Sequence, residues 1–85
     1  MTKTEAKKKL KEIGSLIEQA LDLLSDLGYE VSDTIDEIEP YEGREELTEQ
    51  QEERKEWFEG LQDEIDEIDY NLESATETIQ GRIEE

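Results

Sequence analysis

From Phe58 onward the apolar residues return in alternating steps of three and four. Phe58, Leu61, Ile65, Ile68, Leu72, Ala75 and Ile79 form a heptad seam with Ile65 at position a; Leu47 shares the register, and Gln51, Arg54 and Arg82 are its polar exceptions. Such a repeat gathers one stripe on one side of an α-helix. Thr48, followed three residues later by Gln51, marks the start, because each side chain can satisfy a free backbone N–H of the first turn. The pattern predicts a long helix over about residues 48–83, roughly 54 Å at 1.5 Å per residue. Gly60 is a weak point within it, costing about 1 kcal/mol relative to alanine.

The first third of the chain has the same rhythm. Leu10, Ile13, Ile17, Ala20, Leu24 and Leu27 fall at a and d, and Leu16, Leu21 and Leu23 widen the stripe on both flanks. A stripe that wide implies contact with more than one neighbour. Gly28 follows as a left-handed C-cap candidate, which predicts a helix over about residues 3–27. Between the long segments, Val31, Ile35 and Ile38 have i, i+4, i+7 spacing behind the capping candidates Ser32 and Asp33, and Pro40 blocks extension. A short helix over residues 33–39 is expected, with the turn at Pro40–Gly43 reversing the chain. The expected fold is all-α: one domain, residues 1–85, in which two long antiparallel helices form a coiled-coil-like hairpin with a short intervening helix. The longer last helix leaves part of its seam for dimerisation, so monomer and homodimer both stay open.

Charge is the outlying property. The 85 residues carry 27 acids against 9 bases, a net charge of -18. Residues 1–11 hold Lys3, Lys7, Lys8, Lys9 and Lys11 against Glu5, leaving the remaining chain with 26 acids against Arg44, Arg54, Lys55 and Arg82. A short basic arm thus precedes a strongly acidic body, which repels nucleic acid and anionic membranes and attracts basic protein surfaces. Acidity with only 6% aromatic residues is also the composition of disordered chains, but disorder has no reason to keep a heptad seam. Cysteine and histidine are absent, removing disulfides, thiolate nucleophiles, the usual zinc ligands and the commonest neutral-pH general base. A non-enzymatic protein without cofactors is expected. With no apolar run near the roughly 20 residues of a membrane span and no secretory h-region after the lysines, a soluble, cytoplasmic protein is expected.

The acids of the long helix follow its register. Glu45, Glu52, Glu59, Asp66 and Glu73 fall at b, Glu46, Glu53 and Glu67 at c, and Glu49, Glu56, Asp63, Glu77 and Glu84 at f, opposite the seam; Lys55, Glu64 and Asp69 are charged exceptions among otherwise neutral flanking positions. The run LQDEIDEIDYNLE has six carboxylates and no base. A solvated helix face gains about 0.2 to 0.5 kcal/mol from each opposite-charge pair and loses similar amounts in like-charge rows. Two readings compete: a solvated face without an electrostatic target, and a face that binds a basic surface. In the second, residues 45–85 place about one carboxylate per ~4 Å of helix, against one phosphate per ~3.4 Å on a DNA strand. The candidate partner-binding residues are Glu45, Glu49, Glu52, Glu53, Glu56, Glu59, Asp63, Asp66, Glu67, Asp69, Glu73 and Glu77.

In size, charge and helical content the chain resembles the small acidic anti-defence proteins of phages and mobile elements, of the DNA-mimic anti-restriction and anti-CRISPR types. No family motif carries over residue by residue. The resemblance implies a non-enzymatic inhibitor that occupies a basic nucleic-acid-binding groove of a host protein, in the host cytoplasm, without itself binding nucleic acid or membrane. The alternative is a structural or assembly module such as a phage scaffolding or adaptor protein. Asp63–Asp69 lacks an EF-hand loop, and di-iron bundle sites need histidines, so no metal site is expected. Trp57 at g reads either as core edge, covering Gly28 or the short helix, or as an interface anchor. Tyr70 at f reads either as a lone exposed tyrosine or as a platform for a partner arginine.

Overall fold

Thr2 starts the first helix. Its Oγ1 accepts from the Glu5 N–H at 3.1 Å while the Glu5 carboxylate accepts from the Thr2 N–H at 3.4 Å, a reciprocal capping box. The computed structural model, which describes residues Met1–Glu85, is built from two helices, α1 (Lys3–Glu37) and α2 (Glu49–Glu84). They lie against each other as a hairpin of 68 × 17 × 15 Å. The expected capping box of α2 is present: Thr48 Oγ1 accepts from the Gln51 N–H at 3.2 Å and Gln51 Oε1 from the Thr48 N–H at 2.9 Å. The Gln51 amide also donates to the Glu39 carbonyl at 2.8 Å, which fastens the start of α2 to the connection. Within that connection the Arg44 N–H donates to the Tyr41 carbonyl at 2.9 Å, and Gly43 takes φ 85°, a conformation that favours glycine.

The first helix differs from expectation in one important way. It does not end at Gly28, and residues 33–39 are not a separate short helix; α1 runs unbroken for 35 residues and ends where the Ile38 N–H caps onto the Ile35 carbonyl. The reason lies in the packing row. Leu10, Gly14, Ile17, Leu21, Leu24, Gly28, Val31, Ile35 and Ile38 follow steps of four and three without interruption, and each is at least partly covered. Continuing the helix keeps Val31, Ile35 and Ile38 on that row, whereas a break at Gly28 would discard it. Gly28 faces Ile65 and Gly14 faces Ile79, with a methyl 3.9 and 4.0 Å from where a Cβ would stand. Both glycines therefore belong to the helix–helix interface rather than to a turn.

The core is small. Val31, Ile38 and Ile65 are the three buried residues, all in the half of the hairpin nearer the connection. On α2 the covered row is Phe58, Ile65, Leu72, Ile79 and Ile83 alternating with Gln51, Lys55, Asp69 and Thr76, so the seam is polar at alternate places. The expected d positions divide: Ile13 is 47%, Leu27 39% and Ile68 44% exposed, while Ala20, Leu61 and Ala75 are partly covered. Two helices can cover one stripe of α1, and the longer of its two apolar rows takes the contact.

Candidate interaction faces

α2 holds thirteen carboxylates, and all except Asp69 are exposed. Successive residues turn about 100°, so Glu49, Glu52, Glu53, Glu56, Glu59, Asp63, Asp66, Glu67, Glu73 and Glu77 spread over the side opposite Ile65 and Leu72. Glu45 departs from the expected arrangement: it lies in the connection ahead of α2, because the helix begins only after the Thr48 cap. Asp69 also departs from it, half-covered on the side turned toward α1. There it lines a groove between the helices with Ser25, Tyr29, Ser32, Gln62 and Asp66, over Gly28 and Ile65.

Little within the chain neutralises these acids. Two ion pairs form, Lys55–Glu59 at 4.0 Å and Arg82–Glu85 at 3.1 Å, both between neighbours on one helix and both solvent-exposed. Pairs of that kind contribute between about zero and 1 kcal/mol. The basic arm forms the first turns of α1, where Lys3 Nζ donates to the Glu85 carbonyl oxygen at 3.1 Å and ties the two ends of the chain together. Arg54 is engaged elsewhere, its guanidinium carbon 5.4 Å from the centre of the Phe58 ring. No three acids converge into a metal-holding cluster.

The aromatic candidates are both outward. Trp57 is 64% exposed and touches Phe58 edge-on, ring centres 5.0 Å apart and planes at 88°, so it covers neither Gly28 nor a short helix. Tyr70 is 72% exposed on the acidic side. A further surface is the apolar flank beside the seam, which the width of the α1 stripe leads one to expect in contact with a second neighbour. Leu16 and Leu23 are 63% and 70% exposed, in line with Ile13, Ala20 and Leu27. The signal was present as the extra width of the α1 stripe; which half of that width would be covered depended on the partner helix.

No helix is long and apolar enough to cross a membrane. The chain matches no protein-family model, no curated protein and no solved structure.

Proposed function

We propose that this is a non-enzymatic binding protein whose acidic outer face enters a basic, nucleic-acid-binding groove of another protein and excludes the nucleic acid. The carrying observation is a rigid helix with exposed, almost unpaired carboxylates of one sign along its length. At 1.5 Å per residue, their spacing of about one per ~4 Å falls in the range of a nucleic-acid strand. Arginine and lysine side chains arranged to hold phosphates accept carboxylates with the same charge-assisted hydrogen bonds. A phage-type anti-restriction or anti-CRISPR inhibitor is the specific form of this reading, with Trp57 and Tyr70 as aromatic anchors beside the acids. A second reading, an assembly module of the scaffolding or adaptor kind, is favoured by the exposed apolar flank.

The test is a variant in which Glu52, Glu59, Asp66 and Glu73, all exposed on α2, are reversed to lysine. Helix content should stay the same, and affinity for a basic groove-bearing partner should fall by about a hundredfold or more, since each reversal replaces attraction with repulsion. Unchanged affinity would remove the electrostatic reading. Salt-insensitive self-assembly as the sole association would favour the second.

A further inference from the structure

We infer that a second copy of this chain packs face to face on the apolar side of the hairpin, making an antiparallel four-helix bundle. On α1 the row Ile13, Leu16, Ala20, Leu23 and Leu27 has the three-and-four spacing of a second seam. At 100° per residue it lies roughly 90° to one hand of the covered row. On α2, Trp57, Leu61, Ile68 and Ala75 lie at a similar angle to the same hand of theirs. Because the helices are antiparallel, equal turns bring both rows to one side of the hairpin. The groove on the other side confirms this geometry: Ser25, Tyr29 and Ser32 of α1 and Gln62, Asp66 and Asp69 of α2 all turn to the opposite hand and line one depression.

The two sides therefore differ in chemistry. The outward carboxylates of α2 lean toward the groove side, and its apolar side carries Glu53, Glu64 and Arg82 among Asn71, Thr78 and the apolar row. A partner for this side needs apolar surface rather than positive charge. The Gly14–Ile79 and Gly28–Ile65 contacts set the register between the helices, so a two-fold axis at the level of Ala20 lets both helices of one copy face both helices of the other for about 36 Å, from the level of Leu61 to that of Glu85. Across a hairpin 17 Å wide that is roughly 600 Å² per copy, or about 1,200 Å² for a symmetric pair, within the range of specific interfaces.

Symmetry and charge single out a second copy as the occupant. The α1 row reads nearly the same in both directions about Ala20, the small residue at its centre. With Ala20 at a two-fold axis, Ile13 meets Leu27 of the second copy, and Leu16 and Leu23, like Lys9 and Glu30, come within one residue of the same level, about 1.5 Å. This arrangement also sets the basic arm of each copy over the connection end of the other, where Glu37, Glu39, Glu42, Glu45 and Glu46 outnumber Arg44.

Sedimentation equilibrium of the full chain at tens of micromolar tests the inference, together with oxidative cross-linking of Ala20→Cys in a chain that has no other cysteine. The expected results are twice the chain mass of 9.9 kDa, a disulfide dimer through position 20 and none through Gln19→Cys on the outer face, and a halved mass for Leu23→Glu. Lys9→Glu should weaken the dimer several-fold at low salt, with Glu30→Lys restoring it, a readout that survives if Leu23→Glu fails to fold. The dimer should persist in 1 M salt, where binding to a basic partner is lost, so the two proposals fail separately. A wild-type mass of 9.9 kDa, an Ala20→Cys chain that does not cross-link, or a Lys9→Glu variant with unchanged affinity would overturn it.

Discussion

Replacing Gly28 with alanine has opposite consequences under the two helical arrangements this chain could adopt. In the continuous helix, Gly28 sits mid-α1 on the covered row, with the nearest atom to an added Cβ being Ile65 Cγ2 at 3.9 Å. That is an ordinary van der Waals separation, so the methyl group is accommodated and the helix gains alanine's propensity advantage of about 0.8 to 1 kcal/mol. Contact with Ile65 adds to this, because the new methyl group displaces water from an already half-covered place. A gain of about 1 kcal/mol raises the melting temperature of a domain of this size by roughly 4 to 8 °C. If Gly28 were instead the left-handed cap of a shorter helix, alanine would destabilise the chain by roughly 1 kcal/mol or more. Thermal unfolding followed by circular dichroism, at one fixed protein concentration, reads the sign. A lower melting temperature for Gly28→Ala would refute the continuous α1.

Thr48→Ala should cost about 1 kcal/mol in urea unfolding, since Thr48 Oγ1 is the acceptor for the first-turn N–H of Gln51. An unchanged midpoint would contradict the capping role. Trp57 is the single tryptophan and is exposed in the isolated hairpin. Its fluorescence should accordingly be red-shifted and quenched by acrylamide. A blue, protected emission would place it in a core that the hairpin does not have. Removing Lys3 through Lys3→Ala breaks the hydrogen bond to the exposed Glu85 carbonyl, and the expected change in stability is within about 0.5 kcal/mol; a larger loss would mean that the chain ends are held more firmly than this contact accounts for.

Much of the fold was legible because the strongest signals are local. Thr48 and Gln51 announce the start of α2 within one turn, and Pro40 bounds the connection by removing an N–H and fixing φ. The seam from Phe58 to Ile79 needs no partner to be recognised. Gly28 is where local reading failed: a glycine after Leu27 has the chemistry of a cap, and only the helix opposite, presenting Ile65, makes it an interface residue. The seam's rotation has the same origin. Leu10, Ile17 and Leu24 belong equally to a row that includes Ile13 and Leu27 and to one that includes Gly14 and Gly28, and the choice lies in α2. The acids expected on the long helix lie along α2 except Glu45 and Glu46, which precede the cap, and Asp69 is turned toward α1 by its position beside Ile65. What such a surface binds is not a property of one chain's packing.

The central claim is that this acidic face competes with nucleic acid for a basic groove. Its most direct test is capture from bacterial lysate on immobilised protein, elution with competing duplex DNA, and identification of the eluted proteins by mass spectrometry, in parallel with the variant reversed at Glu52, Glu59, Asp66 and Glu73. The account predicts that DNA releases a nuclease, restriction enzyme or other nucleic-acid-binding protein from the wild-type resin and that the reversed resin does not retain it. If DNA releases nothing, or both resins retain the same proteins equally, the claim is contradicted.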